Sequence, residues 1–265
     1  MFILKLGSSG PDIVSLQQSL KQHGFDPGSI GGKFDAATET AVIAFQKSES
    51  LLPDGIVGAD TSVALGLPAA PLDPDITGLV TVEMVSRMFP GTYVRSIAAN
   101  LPSILTALRD SGLGDKPMVL TALSTIRAEA APFEPLSEAP SRFNTSPHGS
   151  AFDLYDFRKD LGNRGAPDGA AFRGRGYVQL TGRANYGFYG PRLTPTVDLL
   201  AHPDQAAKAE TAARLLALFL RDKEHALRAA LLEDDLRAAR RLVNGGSHGL
   251  NDFTGAFRAG ERIMP

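Results

Sequence analysis

The stretch VLTALSTIRAEAAPFEPLSE, residues 119–138, starts as a helix and then stops being one. Val119, Leu120, Leu123 and Ile126 recur at the spacing that places side chains on one helix face. Glu129 follows Ile126 by three residues, so it continues the apolar face. A carboxyl group there is expected to be partly desolvated at a helix C-terminus. Desolvation and the negative end of the helix dipole both raise a carboxyl pKa. A raised pKa keeps the proton on at neutral pH, as a general acid requires. The same spacing also fits a glutamate at a fraying helix end, paired with Arg127 or Arg142. Beyond it, Glu134 sits between Phe133 and Pro135 and reads as structural, and Glu138 closes the stretch.

The chain has 265 residues, enough for one large domain or two smaller ones. Lys and Arg total 27 against 29 Asp and Glu, a formal net charge of −2, so no general excess of positive charge points to nucleic acid. The absence of cysteine excludes disulfides, thiolate metal sites and cysteine nucleophiles. His23, His148, His202, His225 and His248 show no metal-ligand spacing, and no GxSxG elbow occurs. Neither a metal nor a cofactor is expected. The N-terminus, MFILKLGSSG, lacks the basic and apolar regions of a secretory signal. No run approaches the roughly 20 apolar residues of a membrane span. The expectation is synthesis in the cytoplasm without a signal peptide, and no stable membrane insertion.

Residues 1–67 read as a three-helix bundle. PDIVSLQQSLKQHG and DAATETAVIAFQKSE carry apolar residues at helical spacing, and GADTSVALGL is a third, short helix. Gly32-Lys33-Phe34-Asp35 leads to Thr38 much as Gly55-Ile56-Val57-Gly58 leads to Thr61, which suggests a duplicated turn-then-helix unit. PAAPLDPDITG, residues 68–78, reads as an extended Pro-rich linker. Residues 79–265 are again mostly helical. The run from Ala209 to Gly246 is too long for one helix and is expected to break near His225 or Glu233. Residues 139–178, rich in Pro, Gly, Asn and Asp, read as a functional loop. The first 67 residues carry 4 Lys against 7 acids, while residues 79–265 carry 23 basic against 20 acidic residues. That asymmetry suits an anionic polymer as substrate of the second part.

In FRGRGYVQLTGRANYGFYG, residues 172–190, Gly174 and Gly176 let backbone approach something closely. YVQLT alternates, which predicts a short strand with Tyr177, Gln179 and Thr181 on one face. A ring, an amide and a hydroxyl together suit a sugar; an ordinary polar edge strand fits the pattern as well. RLVNGG, residues 241–246, ends a helix with either a plain C-cap or an Asn244 that reaches into a cleft.

These segments resemble known families. Residues 3–66, with GGKFDAATETAVIAFQ and LLPDGIVGADTSVAL, resemble the N-terminal type of peptidoglycan-binding domain, a three-helix module without catalysis of its own. Residues 79–265, through TIRAEAAPFEPLSE, RFNTSPHGSAFDLYDFRKDLGN, FRGRGYVQLTGRANY and LVNGG, resemble the chitinase-like, lysozyme-fold muralytic domain of modular phage endolysins. The resemblance implies a mainly α protein whose second domain is lysozyme-like. It makes Glu129 the general acid and Glu138 the second acid. It places Gln179 and Thr181 in the cleft and gives Asn185 and Asn244 contacts with sugar. In plant-type chitinases the second glutamate lies further along, where residues 146–170 here offer only Asp153, Asp156, Asp160 and Asp168. That departure tells against chitin.

The implied reaction is hydrolysis of the β-1,4 bond between N-acetylmuramic acid and N-acetylglucosamine. Glu129 would protonate the leaving oxygen, Glu138 and Thr181 would hold and activate water, and Tyr177, Gln179, Asn185 and Asn244 would position sugar rings. Carboxyl groups about 6.5–9.5 Å apart give inversion, and about 5–5.5 Å a covalent intermediate; the resemblance implies inversion. Peptidoglycan is the expected partner, bound by residues 1–67 and cut by residues 79–265. The chain is expected to be a monomer that reaches the periplasmic wall after another agent permeabilises the membrane. A chitinase of the same fold, a bacterial wall-remodelling hydrolase and a non-enzymatic wall-binding protein are the alternatives.

Overall fold

The structure, a computed structural model, describes residues 3–67, 73–246 and 248–265. In chain order its elements are α1 (Pro11–Gln22), α2 (Ala36–Ser48), α3 (Ala59–Ala64), α4 (Val82–Met88), α5 (Val94–Asp110), α6 (Lys116–Glu129), β1 (Leu136–Ser137) and α7 (Asp168–Ala171). They continue with β2 (Arg175–Gly176), α8 (Arg183–Tyr189), α9 (Ala209–Arg221), α10 (Glu224–Leu232), α11 (Leu236–Asn244) and α12 (Leu250–Ile263). The class is mainly α, as the sequence implies. The two short strands pair antiparallel, Leu136 opposite Gly176 and Ser137 opposite Arg175.

Two compact units result: Met1–Asp73 with Glu224–Asp235, and Pro74–Lys223 with Leu236–Pro265. The long helical run breaks at both expected points, since α9 ends at Arg221 and α10 at Leu232. The segment between the breaks groups with the N-terminal bundle, which sequence order could not suggest. Residues 68–72 of the expected linker lie outside the described residues. Its other end is no free spacer: Asp75 bridges to Asp115, and Ile76 N donates to Gly114 O at 2.9 Å.

Ile13, Leu16, Leu20, Phe34, Val42, Phe45 and Val57 form the core of the first unit. Two buried glutamines explain its repeated turns. Gln17 Nε2 donates to Lys33 O and Thr38 Oγ1, and its Oε1 accepts from Gly32 N, each at 3.0 Å. Gln46 repeats the pattern one unit later, with Nε2 to Ile56 O and Thr61 Oγ1 and Oε1 from Gly55 N. Gly32 and Gly55 have φ of 70° and 74°, the left-handed region in which glycine is unstrained. Each glutamine thus satisfies a turn that would otherwise bury bare backbone. Gln46→Leu is expected to leave Gly55 N and Ile56 O unpaired, at about 1–3 kcal/mol per orphaned group. Thermal unfolding would show it as a Tm several degrees lower.

Within the same unit, His225 of α10 sits against Gly58 and hydrogen-bonds through Nδ1 to Asp54 Oδ2 at 3.0 Å. Burial pulls the His225 pKa down, but the bond and charge of Asp54 outweigh it and the net direction is up.

In the second unit α6 is the central rod, buried at every position from Met118 to Ile126. Helices α12 and α4 pack beside each other, α12 also lies against α6, and α5 lies against α9. Gly260 of α12 permits the close approach: a Cβ there would lie 2.2 Å from Leu120 Cδ2. Lys116 Nζ donates to Glu261 O and Met264 O at 3.1 and 2.7 Å, satisfying carbonyls at the end of α12. This clamping fixes α6 and delivers its last residue, Glu129, to the edge of the core.

Candidate active site

Glu129 ends α6, as the apolar periodicity predicts. It does not stand alone in a dry pocket, nor does it pair with Arg127 or Arg142. Arg240 of α11 donates from Nη2 to Glu129 Oε1 at 2.6 Å; the arginine side chain is wholly buried and the glutamate side chain 21% exposed. Arg240 Nε also donates to His248 O at 2.9 Å, so one guanidinium joins α6, α11 and the turn before α12. Among the described residues Arg240 Nη1 has no partner. Sequence reading missed Arg240 because a positive charge in RAARRLV looks like a solvated helix face. Only the half-buried glutamate opposite makes it a core residue.

Glu138 follows β1 and meets the backbone after α7. Its N–H donates to Gly174 O at 2.8 Å, and Gly174 N donates back to its Oε2 at 3.0 Å. Oε1 accepts from Asn144 Nδ2 at 2.8 Å and from Tyr155 OH at 2.9 Å. Burial and then Glu138 push the Tyr155 pKa up to about 12, so the phenol stays a donor. Every partner is a donor, the set an acceptor-only carboxylate takes. Asn144, 1% exposed, also bonds Ala139 O and Ser141 N, folding the loop from residue 139 into a tight turn. Asn163 ties Tyr155 O to Arg183 N, the start of α8. Asn144, Tyr155 and Asn163 were not among the expected site residues. Their signal was the Gly-, Asp- and aromatic-rich composition of that loop, without any spacing to single them out.

The GRG segment lets Glu138 come close. A Cβ on Gly174 would lie 2.9 Å from Gln179 Oε1, 3.2 Å from Glu138 Oε2 and 3.2 Å from Thr181 Oγ1. Three of the expected site residues therefore converge on one backbone position. Gln179 and Thr181 do so from a turn and its exit, not from a strand. Arg175 and Leu180 exchange backbone hydrogen bonds, which closes the chain over Gly176–Gln179, and Gln179 has φ 48°. Gln179 Nε2 bonds Gly176 O across the turn at 2.8 Å, and Thr181 Oγ1 donates to Gln179 O at 2.8 Å. Arg175, 3% exposed, holds the hairpin from beneath through Ala171 O and Tyr186 OH.

The turn overturns the role expected for Tyr177. With the alternation broken, its side chain points inward and is 0% exposed, leaving no ring face for a sugar. Its hydroxyl has no partner among the described residues, and burial, followed by the charge of Glu134, raises its pKa. Glu134 itself accepts from Ser96 Oγ of α5 at 2.7 Å, the structural role its neighbours suggested. Asn185 is exposed in the first turn of α8, where its Nδ2 donates to Thr181 O at 2.7 Å. Asn244 ends α11 and donates to His248 O at 3.1 Å, the carbonyl that Arg240 also binds. Asn185 is thus tied to the Glu138 group and Asn244 to the Glu129 group.

The four loop aspartates are committed elsewhere. Asp153 holds Ser146, Asp156 accepts from Gly169 N, Asp160 pairs with Arg158 and Asp168 with Arg183. A depression of about 410 Å³ between the turn at Thr77–Val82 and α5 contains none of these residues, and its one charged group, Arg109, is taken up by Asp75 and Thr77. No group of His, Asp and Glu suited to a metal ion occurs among the described residues. None of their helices is long and apolar enough to cross a membrane.

Residues 9–65 match the family described as a putative peptidoglycan binding domain. Over 63 residues the chain is 38% identical to a spore cortex-lytic enzyme of Bacillus cereus; the match covers 24% of this chain and 24% of that enzyme. The chain thus spans about a quarter of the length of the curated relatives it matches. Among solved structures, chitinase C from Streptomyces griseus is similar at 18% identity, covering 72% of this chain and 79% of that one with a TM-score of 0.47. A Burkholderia AP3 phage endolysin is similar at 20% identity, covering 98% of each chain with a TM-score of 0.28.

Proposed function

We propose that this protein is a cell-wall hydrolase of the lysozyme type, which cuts the β-1,4 bond between N-acetylmuramic acid and N-acetylglucosamine in peptidoglycan. The observation that carries the reading is the convergence of Glu138, Gln179 and Thr181 on Gly174, in a chain whose residues 9–65 match a peptidoglycan-binding family. The similarity of the N-terminal part to a spore cortex-lytic enzyme points the same way.

In this mechanism Glu129 keeps Oε1 on Arg240, takes up a proton from solvent on Oε2 as substrate binds, and passes it to the glycosidic oxygen as the bond to C1 breaks. Water adds to C1 and gives its proton to Glu138, with Thr181 beside it. One proton leaves the protein and one returns, so the carboxyl groups exchange states and then reset through solvent. Gln179, Asn185 and Asn244 orient the acetamido sugars. Holding water and sugar in place converts an encounter into a unimolecular step. The N-terminal bundle raises the local concentration of the site at the wall. Release of a phage from its host is the biological role this reading favours, with the chain crossing to the periplasm once the membrane is opened.

Mass spectrometry of borohydride-reduced digests of purified sacculi tests the bond. New reduced N-acetylmuramic acid ends are expected. Reduced N-acetylglucosamine ends would move the cut to the other glycosidic bond of the wall strand, and cleavage of chitin oligomers with sacculi left intact would replace this reading with the chitinase-like one.

A further inference from the structure

Phe143 and Phe157 are each 74% exposed, more than any other large apolar side chain among the described residues. Isolated exposed apolar residues are ordinary, but the placement of these two is not. The side chains that donate to Glu138 Oε1 are Asn144 and Tyr155. Phe143 immediately precedes the first, and Phe157 follows the second by two residues. The scaffold that fixes the carboxylate therefore also carries the backbone from which two exposed phenyl rings project. Asn144 is the hub of its turn, with bonds to Glu138, Ala139, Ser141 and Thr145, so the backbone at Phe143 is held in place. Phe157 lies over Gly165, 3.1 Å from where a Cβ would stand. Beside Phe143, the Arg142 guanidinium lies 4.8 Å from the ring centroid.

Exposed aromatic rings with an adjacent cation suit one class of ligand. Pyranose rings present apolar C–H faces that stack on aromatics, and a phenylalanine has only two side-chain torsions to immobilise. A wall glycan also carries carboxylates, on its stem peptides or on lactyl groups that bear no peptide, and a guanidinium binds carboxylates in a forked geometry. Chitin has none. We propose that Phe143 and Phe157 are stacking platforms for sugar rings flanking the bond cut beside Glu138, and that Arg142 recognises the carboxylates that distinguish a wall strand from a neutral glycan. This extends the functional reading above and rests on it for the reaction, though not for the binding.

The chain contains no tryptophan, so Phe143→Trp in the full chain gives a single indole reporter at the proposed platform. Titration with soluble, uncrosslinked peptidoglycan strands is expected to shift its emission to shorter wavelength and saturate. Arg142→Gln in that background is expected to weaken the binding of strands several-fold and to leave the binding of a chitin hexasaccharide unchanged. The double variant Phe143→Ala, Phe157→Ala is expected to raise KM for strands about tenfold, equivalent to about 1.4 kcal/mol, with kcat within about twofold. Emission unmoved by strands, or an unchanged KM in the double variant, overturns the proposal. An emission shift with anionic lipid vesicles but not with strands overturns it in favour of a membrane surface. A wild-type chain that cleaves no glycan refutes the functional reading, and the emission titration still decides this one.

Discussion

Arg240→Leu is expected to destabilise the second unit by about 3 kcal/mol, the lower end of the range for breaking a buried ion pair, and to reduce glycan cleavage far more than it reduces wall binding. The side chain is wholly buried, and its two bonds join α6 to α11 and to His248 O. Leucine fills most of the volume but leaves Glu129 facing apolar surface without its cation. Partial access of Glu129 to water places the cost at the lower end. The catalytic loss has a separate origin. Without Arg240 the carboxyl group can rotate about the end of α6, and a proton donor misplaced by an ångström loses most of its advantage. Arg240→Lys separates the two effects. It keeps the charge but cannot reach Glu129 and His248 O together, so stability should recover more than kcat. Chemical denaturation and initial rates on soluble strands measure both; equal loss in the lysine and leucine variants would show that the arginine only stabilises the fold.

Glu138→Gln carries the second large effect, a fall in kcat of about 10²–10⁴, the range for removing a positioned acid or base. Its carboxylate accepts from Asn144, Tyr155 and Gly174. An amide presents one oxygen and one NH₂. If the NH₂ faces Gly174 N, two donors oppose each other; if it faces Asn144, a second such clash arises. The glutamine therefore loses the base and strains its own loop, and a Tm a few degrees lower should accompany the lost rate. A glutamine variant with wild-type kcat would remove Glu138 from the mechanism.

Local pattern carried the helices of both units, because buried apolar stripes at helical spacing fix elements independently of what packs on them. Helix α5 even runs through Pro102. The turns before α2 and α3 were visible as a repeat, but their cause was not. Gln17 and Gln46 look like polar positions on amphipathic helices, and only the fold brings the glycine turns onto them. Grouping of α10 with the N-terminal bundle depends on His225–Asp54 and Lys5–Glu233, pairs remote in sequence.

The candidate site divides in the same way. Glu129 followed from periodicity, Glu138 from resemblance, and Gln179 and Thr181 from alternation as well as resemblance; the structure brings the last three together at Gly174. Tyr177 failed because alternation over five residues cannot distinguish a strand from a tight turn, and the hydrogen bonds between Arg175 and Leu180 made it a turn. Arg240, Asn144 and Tyr155 were illegible because each has a role only through a partner fixed by tertiary structure.

The most direct test compares the wild type with Glu129→Gln on purified sacculi, counting new reducing ends by mass spectrometry and bound protein by sedimentation. The proposed mechanism predicts reducing N-acetylmuramic acid ends from the wild type, a rate about 10²–10⁴ lower in the variant, and equal sedimentation of the two. Equal rates of end formation would contradict it and move the proton donor away from the end of α6.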